Sequence, residues 1–263
     1  MKNSTKTLLI VLISFGVYFI LDDLYFNSLR KWIFEFTNQL GVSHIITYSI
    51  SATPLILGTL LISRRSGILK SLGLDKSIFN GFLFALICTL PMYIGFAFIF
   101  DFNTEISINS ILISIISAGF FEELFFRGFL FGLVFRKTTL GFIPSVFFGA
   151  VYFGVLHLYQ STDLLEMIGV FSITFLGGIL FAWVYTEWKF NIYIPIFLHI
   201  FMNLSWELFS VSETALGNVY SNIFRFVTIG LIIGLTVLYK RQNGLSLEIN
   251  KRNLLLKRKI NSV

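Results

Sequence analysis

The chain has 263 residues, 56% of them hydrophobic, 17% aromatic and only 13% charged, with a mean hydropathy of +0.81. Soluble domains carry about a quarter of their residues as charges to cover a wet surface. The composition therefore excludes a soluble domain, a disordered chain and a nucleic-acid binder, and leaves a polytopic all-α membrane protein.

A bilayer core of ~30 Å needs about 20 apolar residues per helix. In chain order the predicted spans are 7–21, 44–62, 78–100, 107–135, 140–159, 167–186, 190–209 and 219–239. Lys2 and Lys6 precede the first, which ends at Asp22 and Asp23 without a small-x-small cleavage site. It reads as a retained helix rather than a signal peptide. Short loops without a Gly/Ser-rich linker predict one integral domain over 1–263. The single cysteine, Cys88, lies inside an apolar run and reads as a small core residue.

The net charge of +6 is a matter of position. With the N-terminus inside, the inner segments collect Lys2, Lys6, Arg64, Arg65, Lys70, Lys76, Arg136, Lys137, Lys189 and the tail 240–263. The outer loops hold only Arg30 and Lys31 among the cations, and most of the acids. The positive-inside rule thus predicts eight helices with both termini cytoplasmic. The tail, rich in Lys and Arg, is expected on anionic lipid. It has no interleaved aromatics to suit nucleic acid.

Ionisable groups at membrane depth are costly and point to function. Here they are few: Glu122, Glu123 and Arg127, then His157, then His199 with Asn203 one turn on, and Glu207 near a span edge. His44 sits at a span edge and reads as interfacial. On an α-helix, residues i and i+4 share a face while neighbours point ~100° apart. Glu123 and Arg127 are therefore expected to pair, and Glu122 to point elsewhere without a partner in its own turn. At ~1.5 Å rise per residue, Glu122 and His157 lie about 20 Å, and His199 about 12 Å, from the inner ends of their helices. Each polar group alone has a structural reading, as a buried ion pair or a satisfied core histidine. Together they put Glu, His and His-plus-Asn from three helices at comparable depth.

A carboxylate and an imidazole can polarise water for attack on an amide carbonyl, while a second imidazole and an amide NH₂ donate to the developing oxyanion. No Gly-x-Ser-x-Gly elbow, Gly-x-Gly-Asp dyad or His-Glu-x-x-His helix occurs. Two other readings stay open. One is a non-catalytic membrane immunity or regulatory protein. The other is a proton-coupled transporter, although repeat symmetry and paired broken helices are not evident.

Glu-Glu-x-x-x-Arg, Phe-x-x-x-His and His-x-x-x-Asn, in that order on apolar helices within 107–210, resemble the CAAX-protease and bacteriocin-processing (CPBP, or Abi) family of intramembrane proteases. The resemblance implies that Glu122 activates water with His157, that His199 and Asn203 stabilise the oxyanion, and that Glu123 and Arg127 support the site. It implies a membrane-embedded or lipidated peptide or protein as substrate. For a bacterial member, the plasma membrane is the expected location. A metal-free glutamate mechanism is favoured; zinc on Glu122, His157 and His199 is the alternative, with Asn203 an uncommon zinc ligand.

Overall fold

The computed structural model describes residues 2–63 and 67–257. Arg64, Arg65, Arg258 and Lys259, used above to orient the chain, lie outside them, as does the side chain of Lys2. The described residues form helices α1 (Lys2–Thr37), α2 (Leu40–Ser51), α3 (Thr53–Ser63), α4 (Ile68–Leu72), α5 (Ile78–Ile99), α6 (Ile108–Lys137), α7 (Phe142–Leu156), α8 (Leu164–Glu187), α9 (Tyr193–Leu208) and α10 (Val219–Gln242). Side-chain caps set several starts. The Ser77 and Ser107 hydroxyls accept from the Asn80 and Ser110 amides, Asp163 accepts from Glu166, and Asn218 forms a capping box with Ser221.

Seven of these runs are long and apolar enough to cross a membrane, counting α2 and α3 as one. The seventh predicted span, 190–209, is the 16-residue α9, about 24 Å long and short of a full crossing. Its start is delayed because Lys189 and Phe190 take left-handed backbone conformations (φ 56° and 59°) that reverse the chain after α8. The first helix is longer than predicted. It continues through Asp22 and Asp23 to Thr37, so these acids do not end it.

Hydrogen bonds gather the loops on two faces. On one, Arg136 donates to the Lys70 and Ser71 carbonyls, Ile192 N–H to Gly73, and the Asn191 amide to the Ser77 carbonyl. On the other, Asn103 N–H donates to the Leu208 carbonyl and Ala215 N–H to Gln160 Oε1. The first face collects the predicted inner segments around Lys70, Lys76, Arg136, Lys137 and Lys189. The partition of charge drawn from the sequence is thus also a partition in space.

Residues 245–257 fold back across the first face. Gly141, Phe142 and Ile143, the opening amides of α7, donate to the carbonyls of Leu255, Asn253 and Leu254 at 2.8–2.9 Å. The buried Glu187 carboxylate pairs with Lys240 Nζ at 2.9 Å and accepts from the Glu248 and Ile249 amides. Lys257 Nζ donates to the Phe135 carbonyl. Among the described tail cations, Lys251 and Arg252 stay exposed. The reason for the folding is local: the first amides of a helix need acceptors, and neither Gly141 nor the residues beside it supplies a capping side chain.

Cys88 is buried, as read from the sequence. Helix α6 runs through the centre. One side packs Phe121, Phe125, Phe126 and Phe129 against Val11, Tyr18 and Leu55. The other packs Phe131 and Phe135 against Ala182, Tyr185 and Ile192. Much of the phenylalanine is thus core, with Phe98 and Phe148 among those facing outward.

Candidate active site

Within α6, Ile111–Phe131 is wound as a π-helix, with i→i+5 hydrogen bonds in place of i→i+4. Gly132 N–H accordingly reaches back to the Arg127 carbonyl. The wider turn narrows the angle between neighbouring side chains below the ~100° of an α-helix. This corrects the expectation that Glu122 points away from Glu123. Both carboxylates reach the same imidazole: Glu123 Oε1 lies 2.8 Å from His199 Nδ1, and Glu122 Oε2 lies 3.9 Å from His199 Nε2.

Close approach of α9 to α6 makes this possible. A Cβ on Gly119 would stand 2.5 Å from the Ile200 side chain and 3.1 Å from its backbone nitrogen. Only glycine lets the two backbones come so near. His199, the next residue on α9, is thereby held against the acidic pair.

Glu123 is fully buried and pairs with Arg127 Nη1 at 3.0 Å, the i,i+4 contact predicted from the spacing. The Arg127 guanidinium lies 4.4 Å from the Phe153 ring centre and 5.6 Å from that of Phe181, contacts that add cation–π attraction. Phe153 continues the chain of contacts: its ring lies 4.5 Å from that of His157, and its carbonyl is 2.7 Å from His157 Nδ1. A carbonyl only accepts, so Nδ1 carries the proton. In the neutral ring Nε2 then offers a lone pair. His157 is the last residue of the α7 turn rather than a mid-helix group.

Asn203, one turn beyond His199, donates from Nδ2 to the Ser114 carbonyl at 2.9 Å. Its amide keeps a second N–H. Glu122, Arg127, His157, His199 and Asn203 all line one cavity of about 720 Å³. The Glu122 Oε2 atom is buried at the edge of this cavity without a hydrogen-bond partner. Among the described residues no hydrogen bond or ion pair joins Glu122 to His157; they share the cavity and not a contact.

Three further ionisable residues line the cavity, two of which the sequence placed near span edges. Glu207 is in the cavity wall, its Oε1 accepting from Ser110; it is not simply an interfacial acid. His44, expected at the interface, lines the cavity with Tyr48. Arg225 also lines it, lying over Trp206 and donating to the Ala215 carbonyl at 2.7 Å. The only signal in the sequence for these was an ionisable residue in or near an apolar span.

Among the described residues, no three His, Cys, Asp or Glu side chains converge as a metal-holding group. His199 Nδ1 is held by Glu123 and His157 Nδ1 by a carbonyl, bonds that fix both rings and leave their Nε2 atoms for water, substrate or a metal.

Residues 103–205, from the start of α6 to α9, match the Rce1-like family, described as type II CAAX prenyl endopeptidase Rce1-like. The "Putative membrane peptidase YdiL" of Bacillus subtilis (strain 168) is 34% identical over 96 residues, which make up 35% of this chain and 34% of that protein. The match thus spans about a third of that relative's length. No solved structure matches the chain. The matched region contains Glu122, Glu123, Arg127, His157, His199 and Asn203, the polar set assembled around one cavity. Over this core the chain is similar to Rce1-like membrane endopeptidases, and its apolar helices make it a multi-pass membrane protein.

Proposed function

We propose that this protein is an intramembrane endopeptidase that hydrolyses a peptide bond of a membrane-associated peptide or protein with activated water. The observation that carries the reading is Glu122, which lines the 720 Å³ cavity and holds a buried, unpartnered Oε2 3.9 Å from His199 Nε2. A buried carboxylate oxygen without a donor is costly to keep unless a water or substrate supplies one. A membrane partner that used the fold without the reaction would have no use for it.

In this mechanism Glu122 takes a proton from a water held between it and Nε2 of His157. The water oxygen bonds the carbonyl carbon. The oxyanion that forms is met by Nε2–H of a doubly protonated His199, whose Nδ1–H is held by Glu123, and by the remaining N–H of Asn203 Nδ2. Glu122 returns the proton to the leaving nitrogen as the C–N bond breaks, giving a carboxylic acid and an amine. Glu123 and Arg127 act on His199: Glu123 fixes the ring through Nδ1, and Arg127 balances the charge of Glu123. No step in this scheme needs a metal. We infer a bacterial plasma membrane as its location, and a membrane-embedded or lipidated peptide as substrate.

The test compares membrane and secreted peptidomes of cells carrying the wild-type chain and Glu122→Gln. Uncut substrate should accumulate in the variant. A Glu122→Gln protein that reaches the membrane folded and yields an unchanged peptidome would refute the reading.

A further inference from the structure

Exposed residues among the cavity lining fall in two regions of different chemistry. One is polar and lies among the loops, rimmed by the exposed Tyr159, Ser212 and Glu213. The other is a slot between α8 and α10. Leu176 and Gly177 line the cavity from α8, and Phe226 and Ile229 line it from α10. Leu176 and Phe226 are also 60% and 65% exposed on the outer surface of the bundle.

The slot is framed rather than frayed. Toward the tail face, Phe181 and Val184 pack with Ile232. There Trp188 Nε1 also donates to Thr236 Oγ1 at 3.0 Å and stacks on Tyr239. Toward the loop face, Leu216 closes on Gly169, where a Cβ would stand 2.7 Å from its side chain. Between these two clamps the helices stand apart: a Cβ on Gly177 meets nothing within 4 Å.

Leu176, Gly177, Phe226 and Ile229 offer neither charge nor hydrogen bond to an occupant, so a slot at this depth admits apolar matter from the bilayer. Its size limits the form. A helix is ~10–12 Å across with side chains and rises ~5.4 Å per turn, so one turn fills roughly 400–600 Å³. The 720 Å³ cavity therefore has no room for a spanning helix. An extended segment fits, and the backbone groups it bares need polar partners inside a membrane. Asn203 and the Gln160 side of the cavity provide polar groups; hydrocarbon does not.

We propose that the gap between α8 and α10 is a lateral window through which an unwound, apolar peptide segment passes from the bilayer to Glu122 and His199. The inference rests on the endopeptidase reading for its chemistry, but its geometry is tested separately. The full chain is reconstituted in phosphatidylcholine vesicles with a biotinylated 20-residue Leu/Ala peptide carrying a central Gly-Pro pair. On a Glu122→Gln background, p-benzoylphenylalanine at position 226 should photo-capture the peptide about tenfold better than at position 98, an exposed α5 site that does not line the cavity; tenfold corresponds to about 1.4 kcal/mol. Gly177→Trp should cut that capture by a similar factor. Gly16→Trp and Gly234→Trp, at positions where a Cβ is equally free, should leave it within about twofold.

Equal capture at positions 226 and 98, unchanged capture in Gly177→Trp, or capture of lipid chains alone would overturn the window. Equal capture of an uninterrupted Leu/Ala helix would overturn the unwound form. Capture as expected, with no cleavage of any peptide by the wild-type chain, would uphold the window and remove the endopeptidase. Cleavage of the bilayer peptide undiminished by Gly177→Trp would do the reverse.

Discussion

Replacing Arg127 with methionine separates the charge balance of the site from its packing. Glu123 is fully buried and its charge is balanced by Arg127 at 3.0 Å. Removing one partner of a buried pair typically costs about 3–5 kcal/mol, because the other charge is stranded. The lost contacts of the guanidinium with Phe153 and Phe181 add about 1–2 kcal/mol. Arg127→Met should therefore destabilise the protein by about 4–7 kcal/mol. The double variant Glu123→Leu/Arg127→Met strands no charge in this pair and should recover about 3 kcal/mol of that loss. Unfolding in mixed micelles by sodium dodecyl sulfate, followed through tryptophan fluorescence, reads both values and their coupling. The double variant should nevertheless be inactive, since His199 loses the anion on Nδ1. If the single and double variants cost the same, the stranded charge is not the source of the loss and the argument from burial fails.

Three further outcomes are expected. Asn203→Ala loses one hydrogen bond to Ser114, about 1 kcal/mol of stability, but should slow peptide cleavage about 10²–10³-fold if its amide meets the oxyanion; an unchanged kcat would exclude that role. Peptidase activity should survive exhaustive chelation, measured on purified protein, and activity restored only by added zinc would reinstate the three-ligand alternative. Gly141→Val puts a Cβ 2.5 Å from the Leu255 carbonyl carbon, so it should release residues 245–257 and speed tryptic cutting at Lys251 and Arg252; unaltered cutting would mean the segment is held by Glu187 and Lys240 alone.

The site was legible in the sequence because a membrane makes polar residues conspicuous. Glu122, Glu123, Arg127, His157, His199 and Asn203 stood out for cost alone, and the Glu123–Arg127 pairing followed from spacing. What was illegible depends on backbone register and on packing between distant segments. Nothing in Ile111–Phe131 announces a π-helix, since its hydrogen-bond shift is not written in residue type. Without it Glu122 could not be directed toward His199. The reversal at Lys189 and Phe190 uses left-handed backbone at residues that do not favour it, so α9 was drawn too long. The end of α7 at Leu156 carries no Gly or Pro to mark it. His44, Glu207 and Arg225 reach the cavity through tertiary packing, which a one-dimensional map of spans does not contain.

The C-terminal strap also imposes an order on biogenesis. The acceptors for the Gly141, Phe142 and Ile143 amides are the carbonyls of residues 253–255, which are translated long afterwards. At ~5–20 residues per second the delay is of the order of ten seconds. Through that interval the first turn of α7, the helix that ends on His157, is already inserted but has no protein cap. A nascent or truncated chain lacking residues 253–255 would carry every residue of the polar set and still have a loose anchor at the far end of its histidine helix. The strap thus works as a completeness check, joining the geometry around His157 to the synthesis of a segment that contributes nothing to the cavity itself.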